Sequence, residues 1–105
     1  MARIEKDFLG EKELPDDAYY GVQTLRGLQN FHITGIPMSA EPFFVKAFGY
    51  VKKAAALTNR NLGVIDARVA DAIIGACDRL IAGEMDEQFV TDFIQGGAGT
   101  STNMN

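Results

Sequence analysis

The chain has 105 residues, 47% of them hydrophobic and 23% charged, and 10 Lys+Arg against 14 Asp+Glu give a net charge of −4. That length fits one small domain with a modest core, and no apolar run is long enough to span a bilayer. A slightly acidic chain without a Lys/Arg stripe also lacks the electrostatic footprint of a nucleic-acid or anionic-membrane binder.

The start, Met1 to Asp7, is charged from its third residue and has no apolar stretch of the secretory kind, so a cytoplasmic location is expected. Arg3 to Phe8 alternates charged and apolar residues, Gly10 punctuates it, and Glu11 to Leu14 can pair back, which predicts a small N-terminal β-hairpin. Pro15-Asp16-Asp17 marks a turn or helix start. Tyr19 and Tyr20 read as packing aromatics, and Val22 to Phe31 predicts a short helix weakened by Gly27. His32 to Met38, with Gly35 and Pro37, reads as a loop; its histidine is expected at the surface or in packing, without a catalytic role.

A long helix is predicted near residues 40–61, capped by Ser39, with Glu41 and Pro42 in its first turn. Phe44, Phe48, Val51 and Ala55 recur at helical spacing, beside a second stripe of Ala47, Tyr50, Ala54 and Leu57. So wide an apolar face implies contacts on more than one side. Gly63 supplies a left-handed stop, and Asp66 caps a second helix near 67–82 that carries Val69, Ile73, Cys77, Leu80 and Ile81 before Gly83 ends it. The two are expected to pack as an antiparallel helical hairpin, making the fold mainly α. Asp66, Asp71 and Asp78 fall at cap and solvated-face positions, and Cys77 in the core. One cysteine and one histidine make neither an intrachain disulfide nor a structural zinc site, so no metal and no other cofactor is expected.

Gln88 to Ile94 is too short for a substantial helix and is expected to run extended into Gln95-Gly96-Gly97-Ala98-Gly99-Thr100-Ser101-Thr102-Asn103-Met104-Asn105. Glycines at 96, 97 and 99 permit positive φ and a close backbone approach to a ligand. The residues from Thr100 on suit a helix N-terminus, whose free N–H groups favour an anion such as a carboxylate. The competing reading is a tight turn in which Thr100 or Ser101 merely caps the next helix. No lysine follows Gly99, as a Walker A loop requires, and Thr102 stands where a dinucleotide loop needs its third glycine.

That eleven-residue segment resembles the first signature of the aspartases in the aspartase/fumarase superfamily. The resemblance extends to Arg3-Ile4-Glu5-Lys6-Asp7-Phe8-Leu9-Gly10, to Asp17 through Arg26, to Asn30-Phe31 and to Val51-Lys52-Lys53-Ala54-Ala55-Ala56. Class II fumarases share the plan but usually carry Thr-Gly-Ser-Gly-Thr where this chain has Gly96-Gly97-Ala98-Gly99-Thr100. The resemblance implies the N-terminal lyase domain, residues 1–105, of an aspartate ammonia-lyase, truncated before the central helical bundle and C-terminal domain. The implied reaction is reversible elimination of ammonia from L-aspartate to give fumarate. It further implies that Thr100 contacts the substrate, with Ser101 a weaker candidate, and that Gly96, Gly97, Ala98 and Gly99 form the supporting loop. The family's general base and its other substrate-binding segments lie beyond Asn105, so no catalytic residue is expected within this stretch and the stretch alone should be inactive. The implied partners are the small-molecule substrate and further copies of the chain in a homotetramer, with active sites drawn from three subunits. A class II fumarase and a non-catalytic helical interaction module are the alternatives.

Overall fold

A computed structural model describes residues 1–105. Its backbone divides into two compact units, one of residues 1–40 with 87–105, the other of residues 41–86.

In the first unit, β1 (Ala2–Asp7) pairs antiparallel with β2 (Gly10–Pro15), in register from Ala2 opposite Pro15 to Asp7 opposite Gly10. Phe8 and Leu9 form the turn, and Gly10 takes a φ of 117° that an L side chain rarely adopts. The alternation is opposite to the usual one: Ile4 is 64% exposed and Phe8 fully so, while Arg3, Glu5 and Asp7 are half-buried. Every one of those charges is partnered. The Arg3 guanidinium donates to Glu5 (2.7 Å) and to the Tyr20 carbonyl (2.9 Å), and Asp7 receives both arms of Arg26 at 2.8 Å. Glu5 accepts the Val22 N–H at 2.9 Å, placing a carboxylate at the start of α1 (Val22–Asn30), whose N-cap, Gly21, has no side chain to serve. Arg3 and the Val22 amide hold the Glu5 carboxyl below its ordinary range, and Arg26 does the same for Asp7.

The second unit is the expected helical hairpin, α2 (Pro42–Asn61) and α3 (Ala67–Ile81). Gly63 and Gly83 follow the two helices at φ of 70° and 82°, and Asp66 accepts the Arg68 N–H at 2.8 Å as the N-cap of α3. Lys53 reaches Asp78 (2.7 Å) and Arg60 reaches Asp71 (2.6 Å), so the two aspartates are solvated but paired across an antiparallel interface.

Four expectations are corrected. Ser39 does not cap α2: Met38–Ala40 forms a separate 3-10 turn, held because the Met38 and Ser39 N–H groups donate to the Thr91 and Phe89 carbonyls, and the helix starts at Pro42 after Glu41. The buried stripe is Val45, Gly49 and Ala56 on α2 with Ala70 and Cys77 on α3; Phe44, Val51 and Ala55 are exposed. Expected and buried stripes alike have helical period, and the buried one is the side on which Gly49 lets the backbone of α3 come close. Tyr19 is 69% exposed, and its N–H donates to the Gln88 side-chain oxygen at 2.8 Å. Nor does the lead-in run fully extended: Asp86–Gln88 is a 3-10 turn, and only Asp92, opposite Pro37, forms a β-bridge.

Candidate functional site

The Gly-rich loop needs its glycines for two reasons. Gly97 and Gly99 lie at φ of 64° and 88°, and a Cβ on Gly96 would fall 2.5 Å from the Phe31 ring. The loop ends at α4 (Thr100–Met104), whose N-cap, Gly99, has no side chain with which to cap it. Thr100 and Ser101 are therefore inside the helix and neither acts as its cap. Thr100 is exposed, with its hydroxyl unbonded within the chain. Ser101 is 1% exposed; its Oγ has no partner and lies 3.8 Å from where a Cβ on Gly27 would stand. The sequence places the two hydroxyls side by side, and the helix turns one outward and the other in.

A set of side chains to which the sequence reading gave no role closes the loop. Gln95 spans its neck: its Nε2 donates to the Asp92 carbonyl at 2.6 Å, and its Oε1 accepts the Thr102 N–H at 2.7 Å. Asn105 ties the other end of α4 back, accepting the Val90 N–H at 2.9 Å and donating to the Gln88 carbonyl at 2.9 Å. Thr24 of α1 donates to the Met104 carbonyl at 3.0 Å, and the Thr102 hydroxyl contacts Met38 Sδ at 3.1 Å.

Asp92 anchors this arrangement. Its buried carboxylate accepts the N–H groups of Ile33, Thr34, Gly35 and Ile94 and the Thr34 hydroxyl, at 2.8 to 3.1 Å. Burial alone would raise this carboxyl, but the donors of Ile94, Gly35 and Thr34 outweigh it and hold it at about 2. Beside it, a recess of about 60 Å³ is lined by Leu28, His32, Gly35, Ile36, Val90 and Asp92. His32 is exposed at that recess, apart from the loop residues 96–101, none of which lines it. The only sequence signal for the Asp92 anchor is an Asp interrupting the apolar run from Phe89 to Ile94, which by itself specifies nothing.

A family profile described as lyase matches residues 10–105. The chain is 58% identical to an aspartate ammonia-lyase of Pseudomonas aeruginosa over 104 residues, 99% of this chain and 22% of that protein. It is 54% identical to a class II fumarate hydratase of Halobacterium salinarum over 103 residues, 98% of this chain and 22% of that protein. Among solved structures, a fumarate lyase:delta crystallin from Brucella melitensis in native form superposes with a TM-score of 0.92 at 48% identity, over 99% of this chain and 24% of that one. The chain thus spans about a fifth of the length of the curated relatives it matches. With a family profile covering nearly all of it and the fold shared at high identity, the chain belongs to the lyases of the aspartase/fumarase superfamily.

Proposed function

We propose that this chain is the N-terminal domain of an aspartate ammonia-lyase, a cytoplasmic homotetramer that converts L-aspartate reversibly to fumarate and ammonia. The observation that carries the reading is the exposed, uncommitted Thr100 hydroxyl, held at the end of a glycine loop beside a helix whose third N–H Gln95 has already taken. In the elimination, a base removes a proton from the carbon beside the β-carboxylate, a carbon–carbon double bond forms, and the carbon–nitrogen bond breaks to release ammonia. Negative charge builds on the β-carboxylate before the amine leaves, and a fixed donor such as Thr100 is most useful there. Gly96, Gly97, Ala98 and Gly99 let the backbone approach the carboxylate, and the buried Ser101 stays the weaker second candidate. The base comes from another segment, supplied in the tetramer by a different subunit.

The class II fumarase reading is favoured by one relative, the Halobacterium salinarum hydratase at 54% identity. Gly96 and Ala98 in place of Thr and Ser argue against it. Ultraviolet assay of fumarate formation by the full-length protein with L-aspartate and with L-malate separates the two. Turnover of L-aspartate alone is expected, and turnover of L-malate alone would replace the ammonia-lyase by the hydratase.

A further inference from the structure

Resting on the lyase reading above, we infer that Gln95 is a positioning residue of this site, the latch that closes the glycine loop and leaves Thr100 free to meet the substrate carboxylate. A short helix normally satisfies its third N–H with an oxygen from its N-cap side chain. Here the N-cap is Gly99, which has none, and its φ of 88° lies in the left-handed region that favours glycine. Gln95 provides the missing acceptor from outside the helix: its Oε1 takes the Thr102 N–H at 2.7 Å. Its amide nitrogen is fixed in turn by the Asp92 carbonyl at 2.6 Å, and Asp92 is held by four backbone amides and the Thr34 hydroxyl. One side chain thus joins a rigid anchor to the first turn of α4, bridging the loop between them. Both ends of Gln95 are needed, an acceptor for Thr102 and a donor for Asp92, and among uncharged side chains of this length only an amide offers both.

The test uses the full-length enzyme with Gln95→Leu, Gln95→Glu, Thr100→Ala and the double variant Gln95→Leu/Thr100→Ala. Gln95→Leu is expected to lower kcat/KM by between about ten- and a hundredfold, mainly in kcat, since a misplaced donor fails chiefly as charge develops. The double variant should be no worse than Thr100→Ala alone, because the latch acts through that hydroxyl; a purely structural role would multiply the two losses. Gln95→Glu keeps the acceptor but sets a carboxylate against the Asp92 carbonyl. Its activity relative to wild type should therefore rise as pH falls from about 8 to about 5.5, as the carboxyl gains a proton to donate. Should Gln95→Leu fail to fold, the isosteric Gln95→Glu and its pH profile carry the test. Wild-type kcat/KM in the folded Gln95 variants, multiplicative losses, or a Gln95→Glu to wild-type ratio flat with pH would overturn the inference. A wild-type enzyme silent with both L-aspartate and L-malate would overturn the lyase reading beneath it instead.

Discussion

Thr100 and Asp92 illustrate opposite uses of a polar side chain. Thr100 has no partner within the chain, so its value lies in what it binds: Thr100→Ala in the full-length enzyme should lower kcat and kcat/KM together, on the order of a hundredfold. Thr100→Val should be as damaging, Thr100→Ser less so, and thermal melts should barely move because Gly99, not Thr100, is the helix cap. Unchanged kcat/KM in the valine variant would remove Thr100 from the site. Asp92 is committed wholly inward. Its carboxyl titrates at about 2 in the fold against an ordinary value of 3.8, so the stabilisation it gives is fully present above about pH 4 and is lost as pH falls towards 2. Asp92→Asn sets an amide nitrogen among N–H donors and should lower the melting temperature at pH 7. The deficit relative to wild type should shrink across that acid window, and a deficit constant with pH would mean that the carboxylate charge does not matter there.

At the scale of elements, the hairpin of α2 and α3 depends on small residues at the crossing. A Cβ on Gly49 would stand 2.9 Å from Ile81 Cγ1 and 3.1 Å from the Cys77 carbonyl oxygen, and backbone cannot yield cheaply. Gly49→Ala should therefore destabilise by about 1–3 kcal/mol from overpacking, reduced by up to about 1 kcal/mol of helix propensity. Gly75 in α3 has no neighbour within 4 Å of a built Cβ, so Gly75→Ala should stabilise by up to about 1 kcal/mol. Denaturant melts of the full-length protein read both signs, and stabilisation by Gly49→Ala would show that the helices can part without penalty. The Lys53–Asp78 and Arg60–Asp71 pairs lie on exposed flanks of the same crossing, where water and salt screen them and they add little. The hydrophobic stripe, not the ion pairs, sets the hairpin.

At the scale of the whole molecule, residues 1–105 carry a presented hydroxyl and its loop but no neighbouring base. His32, the one histidine of the chain, lies at a recess that the loop does not line. The isolated chain should therefore give no absorbance change from fumarate formation with L-aspartate, and measurable turnover by it would bring His32 back into consideration. Much of the architecture was legible in the sequence, because helix ends are written in local chemistry: Asp66, Gly63 and Gly83 bound the hairpin where their capping and left-handed preferences predict. The glycines of the loop were legible for the same reason, as backbone freedom belongs to the residue itself. What the sequence alone determined was thus the location of the helices, the hairpin and the loop, together with the lyase resemblance. Only the tertiary structure decided that the stripe of Val45, Gly49 and Ala56 is buried and neither of the two read from the sequence, that the charged face of β1 turns inward, and that Thr100 points out while Ser101 points in. It also decided that Gln95, Asp92 and Asn105 clasp the loop. Each of those outcomes depends on partners distant in the chain, and periodicity and propensity describe a segment without its partners.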